Sequence, residues 1–323
     1  MSSPRRTPGQ PQATGRCSED RAWMTSPYAD AILGWYAGHA RDLPWRHPGA
    51  TPWSVMVSEF MLQQTPVSRV LPAHEAWLAR WPLPAALADA SPADAVRQWD
   101  RLGYPRRAVR LHASARLIVD RHGGQVPASI EELRTLPGVG SYTAAAIASF
   151  AFGRRHAVLD TNVRRVLARL IIGVGLPPKA PTAAEVRLAE GLLPGDGRQA
   201  AQWSVSVMEL GALICTATRP RCADCPLAGQ CAWVRLGRPP AAARQGQAAY
   251  HGSDRHCRGQ LLAVLRAADG GVPADTLAAA WNDSAQRTRA LAALVNDGLV
   301  VRRDDGTMAL PGDDPSAARS AGG

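Results

Sequence analysis

The sequence predicts a mainly α-helical protein with a small C-terminal module of winged-helix type. Three observations predict it. From Pro27 to about Trp233 apolar residues recur at helical spacing, and no run alternates as a strand would. Turn signals such as Trp81-Pro82, Gly123-Gly124 and Pro194-Gly195 cut that stretch into helix-sized pieces. Beyond a polar stretch at 239–253, three helical patterns precede two short strand patterns around Asp304-Asp305-Gly306, which is the order of a winged helix.

The elements follow in order. Residues 1–25, rich in Pro, Gly, Ser and Arg, read as a disordered basic arm. Ile32, Leu33 and Tyr36 mark a first helix after Ser26-Pro27; Trp53, Val57, Phe60 and Met61 mark a second after Thr51-Pro52. Further helical stretches run through 67–81, 93–102, 108–121, 130–136, 142–152, 161–172 and 200–214. Residues 239–253 read as a linker. The module at 254–311 carries helices at 259–268, 273–281 and 285–297, then strands at 299–302 and 308–310; residues 312–323 read as a disordered tail.

At 323 residues, 46% hydrophobic and 20% charged, the chain can bury the cores of two domains. Its formal charge of +10 points to a polyanion, either nucleic acid or an anionic membrane. The most apolar stretch, 144–152, is far too short to span a bilayer, and the N-terminus has no apolar signal core. A cytoplasmic, nucleoid-associated protein with no membrane partner is therefore expected. Lys179 is the sole lysine, so any lysine nucleophile has one candidate.

Three motifs carry chemistry. Cys215, Cys222, Cys225 and Cys231 lie in one short stretch with a single C-x2-C pair. Four such thiols suit a tetrahedral zinc or an iron–sulfur cubane, and the wide gaps favour the cubane. Cys17 and Cys257 lie outside the pattern and read as plain thiols. The turn Leu136-Pro137-Gly138-Val139-Gly140 is either an ordinary helix connection or a close-approach site whose N–H groups take a phosphate. Glu59 stands in an otherwise apolar helix, where a lone carboxylate is usually a surface or salt-bridge residue. Asp160 precedes a helix as an N-cap would.

Taken together and in this order, Leu43-Pro44-Trp45-Arg46, Ser58 to Thr65, Leu102-Gly103-Tyr104, Leu136 to Thr143, Leu159 to Val166 and the four cysteines give a resemblance. The chain from about Asp30 to Trp233 resembles the helix-hairpin-helix DNA glycosylases with an iron–sulfur loop, and within them the A/G-specific adenine DNA glycosylases of the MutY type. The resemblance implies a six-helix subdomain at about 45–155 and an iron–sulfur subdomain from 26–44 plus 156–235. It also implies a [4Fe-4S] cluster on the four cysteines and duplex DNA with A·8-oxoG or A·G as partner; a monomer is expected. Glu59 would be the general acid for departing adenine, and Asp160 the ionised stabiliser of the sugar cation, with Asn162 ordering the site. Gln64 and Tyr104 would wedge into the base stack, with Thr65 and Gly103 beside them. Leu102 would contact the opposing base. Trp45, Arg46 and Tyr142 would line the DNA and pocket surface, and Gly138 and Gly140 would meet the backbone. Bifunctional relatives of the endonuclease III type place a Schiff-base lysine where this chain has Tyr142, so a monofunctional enzyme is expected.

The chain departs from the family pattern in three places. Tyr104-Pro105 stands where many members have Tyr-Tyr. Val205 stands where relatives often place Glu or Gln on the adenine pocket. The 90 or so residues after the cysteines lack the strand-rich pattern of a Nudix-like domain. Removal of another mispaired base, such as thymine opposite guanine, is a competing reading that Glu59 argues against. A non-enzymatic iron–sulfur regulator is another, and the Glu59–Asp160 pair argues against it.

Overall fold

A computed structural model describes residues 27–241 and 249–313. The basic arm at 1–25 with Cys17, residues 242–248 of the linker, and the tail from 314 on lie outside the described residues. No helix among the described residues is long and apolar enough to cross a membrane.

The protein is built from fifteen described helices, and most starts are explained by a capping side chain. Helix α1 (Ala29–His39) leads into the Pro44–Arg46 turn. Helix α2 (Pro52–Leu62) begins with Pro52 at its first position, and the Thr51 side chain accepts from the Ser54 N–H. Nine of its eleven residues are buried, so α2 is the axis on which the N-terminal half packs. Helices α3 (Val67–Arg80), α4 (Pro84–Ala88) and α5 (Pro92–Trp99) follow, the last opened by a Ser91/Asp94 capping box. Helix α6 (Arg106–His122) stops at Gly123 in the left-handed conformation. Helix α7 (Ile130–Leu133) and helix α8 (Ser141–Phe152) flank the glycine turn.

Helix α9 (Thr161–Leu167) is capped by Asp160 and runs on to Ile172 in a wider turn. Helix α10 (Ala183–Leu192) has a Thr182/Glu185 capping box, and helix α11 (Gly197–Leu213) is capped by Asp196. Helix α12 (Ala232–Arg235) follows the cysteine loop. The C-terminal module comprises α13 (Asp254–Ala267), α14 (Ala274–Ala280), α15 (Ser284–Asn296), β1 (Val301–Arg302) and β2 (Met308–Ala309). β1 and β2 pair antiparallel, Val301 opposite Ala309, and Val272 bridges to Met308. Three helices thus precede one short antiparallel strand pair.

Three differences from the sequence reading have physical causes. Helix α5 stops at Trp99, because Asp100 turns left-handed (φ 42°) and starts a tight turn to Leu102. Helices α4, α10 and α12 were not expected; α4 and α12 are too short to show a period, and α10 is half exposed. Leu299 and Val300 are buried but outside the ladder, so the first strand is shorter than predicted.

Two apolar cores form. One joins α1, α9, α10, α11 and the cysteine loop. The other joins α2 to α8 and also contains Cys257, Leu261, Leu265 and Leu294 of the C-terminal module. The catalytic candidates stand where the two cores meet.

Candidate active site

Glu59 sits on α2 and is 5% exposed. Removing a carboxylate from water disfavours its charge. Burial, the leading cause, raises Glu59 to about 7; Asp160 adds to the rise, while Arg46 and a hydrogen bond from the Tyr142 hydroxyl oppose it. Tyr142, in the first turn of α8, is itself pushed well above its ordinary value, first by burial and then by the two carboxylates. Glu59, Asp160, Tyr142 and Arg46 therefore share one polar pocket in an apolar setting.

Asp160 is held from below by its own helix. Its carboxylate accepts from the Val163 N–H at 2.6 Å and from Asn162 Nδ2 at 2.8 Å. Burial raises its pKa, and these two donors with the Arg165 charge pull it back. Arg165 Nη2 in turn donates to Asn162 Oδ1 and to the Gly211 carbonyl, both at 2.7 Å. Gly211 is needed there: a Cβ would lie 2.7 Å from the Asn162 Cβ. Its absence lets α11 press on α9 and fixes Asn162.

Around the glycine turn, Gly138 has φ +86°, and a Cβ would meet Arg110 and Phe60 at 3.0 Å. Ser114 Oγ donates to the Pro137 carbonyl at 2.7 Å and pins the turn to α6. Gly140 precedes α8 with no side-chain cap, so the first N–H groups of that helix are left to an outside acceptor.

The four cysteines gather at the end of α9. None of the described cysteines is in a disulfide. Burial, above all, pushes Cys225 up to about 11, and Cys215, Cys231 and Cys222 add to the rise, so all four thiols lie within electrostatic reach. Arg169 Nη1 donates to Cys215 Sγ at 3.3 Å, and its guanidinium stands 4.6 Å from the Trp233 ring centre. Among the described residues no three His, Cys, Asp or Glu side chains are placed to hold a single metal ion. In a cubane each thiolate takes a different iron, so its four sulfurs stand further apart than those of a one-ion site. Four thiols gathered in one loop are the donor set that group takes.

Comparison with known proteins follows the same lines. Residues 57–190 match the HhH-GPD superfamily of base excision DNA repair proteins. An adenine DNA glycosylase of Mycobacterium tuberculosis is 53% identical over 288 residues, covering 87% of this chain and 93% of that protein. This chain belongs to the adenine DNA glycosylase family. A Mycolicibacterium smegmatis adenine DNA glycosylase is 47% identical, over 87% of this chain and 95% of its own. The solved structure of a thermostable thymine-DNA glycosylase has a TM-score of 0.59 at 27% identity, covering 65% of this chain and 95% of that one. The fold of this chain is thus the helix-hairpin-helix glycosylase fold expected from the motifs.

The structure places several of the expected DNA contacts beneath the surface. Trp45 is 5% exposed and packs edge-on against His74, so it is core. Leu102 and Thr65 are each 6% exposed. The Thr65 hydroxyl takes a hydrogen bond from Arg107 at 2.9 Å and donates to the Leu102 carbonyl at 3.3 Å. All three shape the surface from beneath. Arg46 turns into the pocket, where its Nη1 meets Glu209 Oε2 at 2.7 Å. Gln64 and Tyr104 are exposed, both in the left-handed region (φ 58° and 48°), and Gly103 between Leu102 and Tyr104 has φ 85°.

The family pattern did not single out Glu209, Arg41, Arg165 or Arg169. Glu209 is fully buried on α11 and accepts from the Arg41 N–H, Arg41 Nε, Arg41 Nη2 and Arg46 Nη1. The available signals were a carboxylate on the apolar stripe of one helix and two arginines four residues apart on another.

Proposed function

We propose that this protein is a monofunctional adenine DNA glycosylase of base excision repair. It hydrolyses the N-glycosidic bond of an adenine paired with 8-oxoguanine or guanine and leaves an abasic site. The observation that carries this reading is Glu59: a buried carboxyl with a pKa near 7, beside a second carboxylate on a helix cap. Adenine is a poor leaving group as an anion. An acid half protonated at neutral pH can donate to a ring nitrogen as the bond breaks. Asp160, held by Val163 and Asn162, faces the positive charge that develops on the sugar. Tyr142 fixes the orientation of Glu59. A base in a duplex cannot reach this pocket, so the nucleotide must flip out. Exposed Gln64 and Tyr104 stand where a wedge would act, and the uncapped start of α8 after Gly140 is suited to a phosphate.

Tyr142 occupies the place of a Schiff-base lysine, and Lys179 is exposed in the loop before α10, so no lyase step is expected. Cys215, Cys222, Cys225 and Cys231 would hold a [4Fe-4S] cluster. It would supply a rigid anchor for the loop that Arg165 and Arg169 tie to the catalytic helix.

Single-turnover reactions on duplexes carrying A·8-oxoG, A·G, T·G and thymine glycol test the reading. Adenine release lost in Glu59→Gln is expected. Release of thymine from T·G with no adenine release would overturn it, as would DNA binding with no base release. A covalent borohydride-trapped adduct in high yield would overturn the monofunctional assignment.

A further inference from the structure

A cleft of about 890 Å³ lies between the glycosylase core and the C-terminal module. It is remote from Glu59's pocket in kind: its walls are arginine and tyrosine rather than buried carboxylate. Arg69 and Arg101 come from the core, and Arg255, Arg258 and Arg266 from α13 of the module. Asp100 is the one acidic residue among those lining it. Of the five arginines, Arg258 is paired with Asp297, while Arg69 and Arg266 donate only to backbone carbonyls that leave their charge unbalanced, so the lining keeps a net positive charge against its one aspartate. Two aromatic rings share the space: Tyr104 is 48% exposed and Tyr250 50% exposed. Large apolar rings left in water beside cations mark a contact surface.

The backbone adds an independent sign. Four non-glycine described residues have positive φ; Asp100 and Tyr104 line this cleft, and Gln64 adjoins Thr65, which is bonded to Leu102 two residues before Tyr104. Such conformations are unfavourable for residues with a Cβ and persist where surrounding structure imposes them. Arg107 holds two of these turns, at Gln64–Thr65 and at Gly103–Tyr104. Its guanidinium donates to the Phe60 and Met61 carbonyls of α2, to Thr65 and to the Gly103 carbonyl, and it stacks on Tyr104. The rim of the cleft is thereby built onto the helix that carries Glu59. The opposite wall is fixed as well: Arg97 pairs with Asp313 and donates to the Ala268 carbonyl, and Arg266 donates to the Asp100 carbonyl at 2.5 Å.

We propose that this cleft takes one strand of the duplex, its phosphates against Arg101 and Arg255 and a base against the Tyr250 ring, so that the module grips DNA through α13. Guanidinium groups neutralise phosphates, and aromatic faces stack any base without regard to sequence. The volume is in the range of sites that hold a nucleotide-sized ligand. In a free-standing winged helix the third helix reads the groove; here Leu294 of α15 lines the cleft floor, and α13 supplies the cations. The proposal rests on the reading of the protein as a DNA glycosylase, but its test needs no base release.

Binding of a fluorescently labelled duplex is measured by anisotropy across a salt series with the full chain. Arg101→Ala and Arg255→Ala should each weaken binding, and each should make the slope of log K against log salt shallower by about 0.9, one phosphate contact. Tyr250→Ala should weaken binding about tenfold with the slope unchanged. The charge-matched control is Arg121→Ala, at the far end of α6, roughly 22 Å along the helix from Arg106; it should match wild type. Thermal unfolding midpoints identify any variant that fails to fold, and Arg101→Lys should restore the slope lost in Arg101→Ala. Unchanged slopes in both folded arginine variants would overturn the proposal, as would failure of the wild type to bind duplex. If the wild type binds with this cleft dependence but releases no base, the cleft stands and the glycosylase assignment falls.

Discussion

At the residue scale the chemistry turns on how Glu59 is charged. Its ordinary value of 4.5 rises to about 7 when folded, chiefly through burial. The protonated form donates, so the saturated single-turnover rate should fall about tenfold per pH unit above 7 and level off below it. The same shift bears on stability. Below 4.5 both folded and unfolded states are protonated and nothing is lost. Between 4.5 and 7 the unfolded chain ionises first, and above 7 the full cost of a buried charge is present. Glu59→Gln should therefore abolish excision yet stabilise the fold above pH 7 by on the order of 2 kcal/mol, with no gain below pH 4.5; melting curves at pH 4 and 8 check the sign. Arg46 lowers the Glu59 pKa, so Arg46→Gln should move the falling limb of the rate profile to higher pH. Glu209→Gln would leave Arg41 and Arg46 without their buried counter-charge, and a loss of about 3–5 kcal/mol is expected in urea unfolding.

At the scale of the element, α9 does two jobs. Its cap holds Asp160, and its body carries Arg165 and Arg169 to the cysteine loop, where they donate to the Cys215 carbonyl and sulfur. The loop and the carboxylate are thus connected by one short helix. With the proposed cluster on this loop, Cys222→Ser should lose the cluster's iron absorbance and soften this end of α9, measurable as a lower melting temperature together with a reduced excision rate. Retention of full activity in an iron-free variant would contradict it. Helix α11 matters through a missing atom. Gly211→Ala sets a Cβ within 2.7 Å of Asn162 and 3.0 Å of its backbone, so one helix must shift. A cost of about 1–3 kcal/mol is expected, with a slower single-turnover rate because Asn162 no longer aligns Asp160.

For the whole molecule, the second core is continuous between α2–α8 and the C-terminal module. Arg97 is the polar counterpart of that contact, with a bidentate pair to Asp313 and a bond to the Ala268 carbonyl. Arg97→Ala should lower stability by about 2 kcal/mol or more, because it leaves a mostly buried Asp313 carboxylate unpaired. Removing residues after 250 should expose apolar surface on α5 and lower the melting point of the remaining glycosylase core. A truncated core that melts as the full chain does would show that the module is merely tethered.

Most helices, the Thr51 and Asp160 caps and the four-cysteine spacing were legible in the sequence because they depend on neighbours a few residues apart, Thr51 with Ser54 and Asp160 with Val163; the Ser253 cap was missed, and α13 starts five residues before the expected 259. Glu59 was legible through a motif, and its apolar helix already implied a raised pKa. What sequence could not fix is which side chains end up in water. Trp45, Thr65 and Leu102 sit in motifs associated with DNA, yet all three are inside, because burial is decided by elements far away in the chain. Glu209 lies 168 residues from Arg41 and 163 from Arg46, and no local pattern announces such a pair. The cleft between core and module belongs to the same class. Local sequence sets helix, cap and turn through short-range hydrogen bonds and periodicity. Only long-range packing decides which charges are buried, which are paired, and which arginines and tyrosines are left facing a common space.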